Sequence, residues 1–278
     1  MSSLQTPPLS ASEATPDSRS LRPVRILLPV VVLAAGIVVW DLVVRLYDIP
    51  PYVLPGPSEV FRTLISDWPV LSQSLLITLR TTLEGFVAAA LGGIALALLF
   101  NQSKWLEYSL FPYAVILQVT PVIAIAPLLL IYLPQQTAVV ACAWIVGFFP
   151  VLSNATLGLN SVDRNLAGLF QLYGASRLQT LRYLKLPAAL PYILGGLRIA
   201  GGLSLIGAVV AEIAAGSAGA GSGLAYRIAE SGYRLNIPRM FAALLLLSAA
   251  GIVIYGLLAL TSHLLLRRWH ESALGKGN

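Results

Sequence analysis

Six apolar runs separated by short polar segments organise this sequence. They cover residues 26–47, 74–100, 108–133, 136–157, 190–215 and 240–266. Each is long enough for the ~20 residues that a helix needs to cross a bilayer. The pattern predicts an all-α membrane protein with six transmembrane helices. Pro112, Pro121, Pro127 and Pro150 fall inside these runs. A proline removes a helical hydrogen bond and crowds the preceding turn, so kinks or breaks are expected there unless neighbouring chain satisfies the freed carbonyls. The third run, with three of these prolines, is expected to be irregular and packed inside the bundle rather than facing lipid.

The segment between the fourth and fifth runs is the most patterned polar stretch. Asp163 and Asn165 can cap a helix that begins near Leu166. Leu166, Leu169, Phe170 and Tyr173 recur at helical spacing and form one apolar stripe. Gly174 suits a left-handed helix end. Ser176 can cap a second helix carrying Leu178, Leu181 and Leu184 beside Arg177, Arg182 and Lys185. Pro187 and Pro191 are then expected to turn the chain back into the next run. The predicted helix–turn–helix fits two uses: a docking ridge for a soluble partner, or an interfacial hairpin resting on lipid headgroups.

Composition sharpens the picture. Of 278 residues, 57% are hydrophobic and 11% charged, with a mean hydropathy of +0.79. Soluble domains carry about 25% charged residues, so most of this surface must meet lipid. The net charge of +6 does not signal nucleic acid, because the basic residues sit in loops between apolar runs. With the N-terminus inside, eleven of them are cytoplasmic: Arg19, Arg22, Arg25, Lys104, Arg164, Arg177, Arg182, Lys185, Arg267, Arg268 and Lys276. Four are outside: Arg62, Arg227, Arg234 and Arg239. That bias places both termini and residues 158–189 in the cytoplasm. The lone Cys142 lies in an apolar run and excludes a disulfide or thiolate metal site; no metal or cofactor of its own is expected. Residues 1–22 read as a disordered tail and residues 23–69 as an uncleaved first span with an outer loop. Residues 70–266 form the main membrane domain, and residues 267–278 a second cytoplasmic tail.

Polar residues within the runs are few. Arg80 and Glu84 are four apart and share a helix face. Arg198 lies in the cytoplasmic part of the fifth run and Glu212 near its outer end. Gln118 and Thr120 precede Pro121. These are the candidate pathway residues, with structural pairing or helix–helix hydrogen bonding as the alternative. The run GSAGAGSG, residues 216–223, lacks a preceding strand and a following Gly-Lys-Ser/Thr, so it reads as a turn into a re-entrant or interfacial helix. Tyr226, Arg227, Tyr233 and Arg234 would then face the outside. The few buried acids and the absence of a recognisable repeat argue against a secondary transporter. Ser222 and His263 do not make a serine protease motif.

The loop also carries a resemblance. Gly174, nine residues, Leu184, one residue and Leu186-Pro187 resemble the cytoplasmic loop signature of binding-protein-dependent ABC importer permeases. In that family the pattern is Glu-Ala-Ala, three residues, Gly, nine residues, Ile, one residue, Leu-Pro. The leading positions fall here on Gly168, Leu169 and Phe170, so the acidic residue is missing. LPGPSEV, SLLITLRTTLEGF, TPVIAIAPLLLIY, GFFPVLSNATLGLNSVD and VVAEIAAG resemble the nitrate, sulfonate and bicarbonate branch (taurine-like) over residues 50–266. The resemblance implies the type I ABC importer fold in a bacterial inner membrane. It implies two permease copies on a cytoplasmic ATPase dimer that binds the ATP. An extracytoplasmic solute-binding protein would deliver the solute. Residues 165–173 would be the coupling helix, with Ala175 and Ser176 completing its turn. The chain itself would not be an enzyme.

Overall fold

A computed structural model describes residues 21–216 and 221–267. Among them all regular structure is helical: α1 Leu21–Leu46, α2 Pro57–Ser66, α3 Trp68–Gln102, α4 Lys104–Val119, α5 Val122–Tyr132 and α6 Gln135–Asn160. There follow α7 Arg164–Leu172, α8 Arg177–Thr180, a π-turn Leu181–Lys185, α9 Leu186–Ala215, α10 Leu224–Tyr233 and α11 Ile237–Leu266. Residues 1–20 of the tail expected to be disordered, and residues 268–278 of the C-terminal tail, lie outside the described residues, whereas Leu21 and Arg22 already belong to α1. Two compact units divide between Ser58 and Glu59. In the first, α1 is a long apolar helix whose side chains from Leu27 onward are mostly exposed. The second holds everything else.

In the larger unit α6 is central, packed by α3 and α9. Its core inverts the pattern of a water-soluble protein. The buried face of α3 carries Ser74, Thr78, Thr82, Gly85, Ala89, Gly93 and Ala97, recurring every three or four residues. Large side chains such as Leu76, Leu83 and Leu91 point outward. Lipid gives helices no hydrophobic reason to associate, so small residues that let backbones approach closely define the contact. The approach is tight: a Cβ on Gly207 of α9 would lie 2.6 Å from the Cys142 carbonyl oxygen of α6.

Among the described residues five helices are long and apolar enough to cross a membrane, and six if α4 and α5 count as one broken span. The break is sharp: α4 and α5 meet at 98°, with Thr120 and Pro121 extended between them. The expected irregularity of the third run is therefore present. Its expected burial is not. Only Ala114 of α4 and Ala126 of α5 are buried, while Trp105, Tyr113, Ile116, Ile123 and Ile131 are exposed. Neither helix carries a stripe of small residues; α4 rests on α3 and α6, and α5 on α6 and α9.

Pro112, Pro127 and Pro150 leave their helices unbroken, and two further expectations, for Asn165 and for Pro187 with Pro191, need correction. Membrane helices tolerate proline where neighbouring groups satisfy the freed backbone. Asn165 lies inside α7 and does not cap it; Asp163 does. Pro187 and Pro191 do not turn the chain. Helix continues from Arg177 to Ala215. Pro187 sits inside that continuous helix, directly after the π-turn. Immediately before it the Leu186 N–H reaches back five residues to the Leu181 carbonyl. This wider turn makes room for a ring that would crowd a regular helix.

Candidate functional site

Two ends of the larger unit carry its polar chemistry. At one, Lys185 Nζ donates to Asn101 Oδ1 at 3.1 Å, which ties the α7–α8 hairpin to the end of α3. At the other, Thr78 of α3 meets Glu212 of α9 and Leu224 of α10.

The hairpin is fixed at each joint by local hydrogen bonds. Asp163 Oδ1 accepts from the Asn165 N–H at 2.6 Å and starts α7. At its far end Gly174 N–H donates to the Gln171 carbonyl and Ala175 N–H to the Phe170 carbonyl. This paired closure requires a left-handed residue, and Gly174 has φ +69°. Ser176 and Gln179 then form a reciprocal capping box, with Ser176 N–H donating to Gln179 Oε1 at 2.7 Å. Gly174, Ala175 and Ser176 each hold a turn position, so the linker has a defined shape. Leu181 and Leu186 pack on the core cluster that includes Phe100 and Ala189. Leu184 and Pro187 are half-buried beside them.

The outward face of the hairpin is apolar. Leu166 and Leu169 are exposed, Gly168 and Phe170 half-buried, and Tyr173 is 83% exposed. Leu172 of α7, Leu178 of α8 and Tyr183 of the π-turn are exposed apolar residues of the same hairpin. A shallow depression of about 550 Å³, lined by Arg164, Asn165, Gly168, Leu169, Gln171 and Leu172, runs along α7. A Cβ on Gly168 would meet nothing within 4 Å.

Sequence-predicted pathway residues separate into three places. Arg80 and Glu212 line one cavity of about 420 Å³ together with Thr81, Gln135 and Gln136. Arg80 Nε donates to Glu84 Oε1 at 2.8 Å, the pairing their spacing predicts. Gln118, Thr120 and Pro121 line a second cavity of about 330 Å³ at the α4–α5 break, against Ile145 and Pro150 of α6. Arg198 belongs to neither. Its guanidinium lies over the Tyr255 ring at 5.9 Å, facing α11.

Glu212 is 5% exposed. Its carboxyl accepts from the Thr78 hydroxyl at 2.8 and 3.0 Å and from the Ala225 N–H at 3.1 Å. Thr78 Oγ1 in turn accepts from the Leu224 N–H at 2.8 Å. Gly223 packs so closely on the Glu212 carboxyl that a Cβ there has no room. The glycine-rich turn thus leads into a short helix, as expected, although residues 217–220 lie outside the described residues. Arg227 is not an outward-facing residue. It reaches Ser74 at 3.1 Å and Glu230 at 2.8 Å. Sequence reasoning missed Ser74, Thr78 and the Asp67–Arg239 ion pair, 2.5 Å. The signal for Ser74 and Thr78 was a helical run of hydroxyls in an apolar span; the ion pair joins distant segments and had none.

The pattern for "binding-protein-dependent transport system inner membrane component" matches residues 89–267. A probable ABC transporter permease protein of Haemophilus influenzae is 33% identical over 84% of this chain and 94% of its own. The riboflavin transport system permease protein of Chloroflexus aurantiacus is 33% identical over 88% of this chain and 90% of its own. The taurine transport system permease protein of Escherichia coli is 31% identical over 71% and 74% respectively. In structure, the chain resembles a crystal structure of an amino acid ABC transporter with histidines. The TM-score is 0.59 at 22% identity, covering 73% of this chain and 97% of that one.

Proposed function

The chain belongs to the binding-protein-dependent transport system inner membrane components and has their type I permease fold, and on that premise we propose that it couples a cytoplasmic ATPase dimer to solute import through α7. Two copies form the pathway, and an extracytoplasmic binding protein delivers a small, anionic or vitamin-precursor-like solute. Both termini are cytoplasmic. The observation that carries this reading is the hairpin itself: an apolar ridge capped at both ends yet left exposed. A ridge of that kind suits a groove on a moving partner.

The mechanism follows from the connections. ATP binding closes the two ATPases and moves the docked α7 helices. Each α7 is joined through a fixed turn to a helix that runs unbroken from Arg177 to Ala215. Contacts such as Gly207 on Cys142 and Gly196 on Pro150 lock that helix to α6. A displacement at the hairpin therefore moves α6 and α9 as one body and opens or closes the clefts beside them. The driving free energy is the difference in ATP affinity between the two arrangements. At the outer end, Arg80, Gln135 and Gln136 offer hydrogen-bond donors to a passing anion.

The test is copurification with the cognate ATPase and stimulation of its ATP hydrolysis by the loaded binding protein. The double variant Leu169→Asp, Phe170→Asp should insert in the membrane normally but lose both the ATPase and transport. Normal assembly and uptake by that variant would remove α7 as the docking element.

A further inference from the structure

Behind the hairpin lies a second groove. It has a volume of about 370 Å³, and its polar lining is Asn101, Gln102, Gln171, Arg177, Thr180 and Lys185. Among the described residues, two cations and four neutral polar groups line it and no carboxylate does. Lys104, itself paired with Glu107, stands near enough to act on the charge of Lys185. The groove meets α7 through Ala167 and Gln171. Four residues apart, these share a face distinct from the one carrying Leu166, Leu169 and Tyr173.

Its level is set by the helices that end there. Asn101 and Gln102 close α3, and α4 starts two residues later at Lys104. Trp105 and Tyr108 on the first turns of α4 are 84% and 73% exposed, and Tyr183, two residues before Lys185, is exposed as well. Trp and Tyr at the ends of membrane helices mark the headgroup layer. A pocket of cations and amide donors at that depth matches a phosphate oxyanion.

We propose that this groove binds a phosphate group, the headgroup of an acidic phospholipid, and so clamps the α8 end of the hairpin to α3. The inference uses the membrane placement of the chain but not the docking of an ATPase, so either can fail alone.

The test uses the purified full-length permease in neutral detergent, titrated with phosphatidylglycerol, phosphatidylcholine or inorganic phosphate. Binding is read by native mass spectrometry and by thermal stabilisation. Phosphatidylglycerol should bind and stabilise. Arg177→Gln with Lys185→Gln should weaken it about thirty-fold, the equivalent of two basic side chains at ~1 kcal/mol each. Lys185→Arg should retain it, and Arg234→Gln, at the other end of the bundle, should be silent. Inorganic phosphate binding with the same variant dependence, and no lipid preference, would uphold the phosphate site but overturn the lipid as its source. Undiminished lipid binding by the double variant would overturn the site.

Discussion

Two threonines one turn apart on α3 give the sharpest stability test. Thr78 and Thr82 are both fully buried. The Thr78 hydroxyl serves two masters: it donates to the Glu212 carboxyl at 2.8 Å and accepts from the Leu224 N–H, also at 2.8 Å. The Thr82 hydroxyl has no hydrogen-bond partner among the described residues. Valine has the same shape as threonine, so each substitution removes the hydroxyl while filling the space. Thr78→Val strands the Leu224 N–H and takes a donor from Glu212. A stranded buried group costs about 1–3 kcal/mol and a hydrogen bond to a carboxylate about 1.5–3 kcal/mol, for a loss of roughly 3 kcal/mol. At about 2–4 °C per kcal/mol for a chain of this size, Tm should fall by roughly 6–12 °C. Thr82→Val removes an unsatisfied hydroxyl and should leave Tm unchanged or slightly raised. The assay is thermal unfolding of the purified protein, followed by circular dichroism. If Thr78→Val melts with the parent, or Thr82→Val falls as far, the proposed tie between α3, α9 and α10 does not hold them together.

Further predictions rest on other contacts. Gly207→Ala pushes a methyl onto the Cys142 carbonyl and should cost about 1–3 kcal/mol, read as lost monodisperse protein on gel filtration. Gly202→Ala, where a Cβ meets nothing within 4 Å, should be neutral or gain up to ~1 kcal/mol. Asp163→Ala removes the α7 cap, about 1 kcal/mol, and should speed hydrogen exchange at Asn165 and Leu166. Gly174→Val meets no neighbour, but its φ of +69° penalises a branched side chain. It should loosen the hairpin, reduce uptake and leave expression unchanged.

The sequence made the helical membrane architecture and the hairpin readable because both are local. Apolar run length marks spans, and Gly174 and Ser176 mark helix ends through their own backbone needs. The continuous helix through Pro187 was not readable, because it depends on a π-turn that no residue type announces. The margin position of α4 and α5 was hidden for a different reason. Length and hydropathy say that a segment prefers lipid or protein to water, but not which of the two it meets. Burial of a face shows only in its small residues, and the stripe on α3 carried that information more clearly than any large side chain. Glu212 stood out as a buried acid, yet its partners Thr78 and Ala225 come from distant segments that only packing brings together.

The most direct test of the coupling role is solute uptake into proteoliposomes holding the permease with and without its ATPase, with the binding protein supplied on the extracytoplasmic face. Uptake should occur only when ATPase and ATP are both present on the hairpin side, and should vanish with Leu169→Asp, Phe170→Asp. Uptake by the permease alone, or with ATP supplied only on the opposite face, would contradict it.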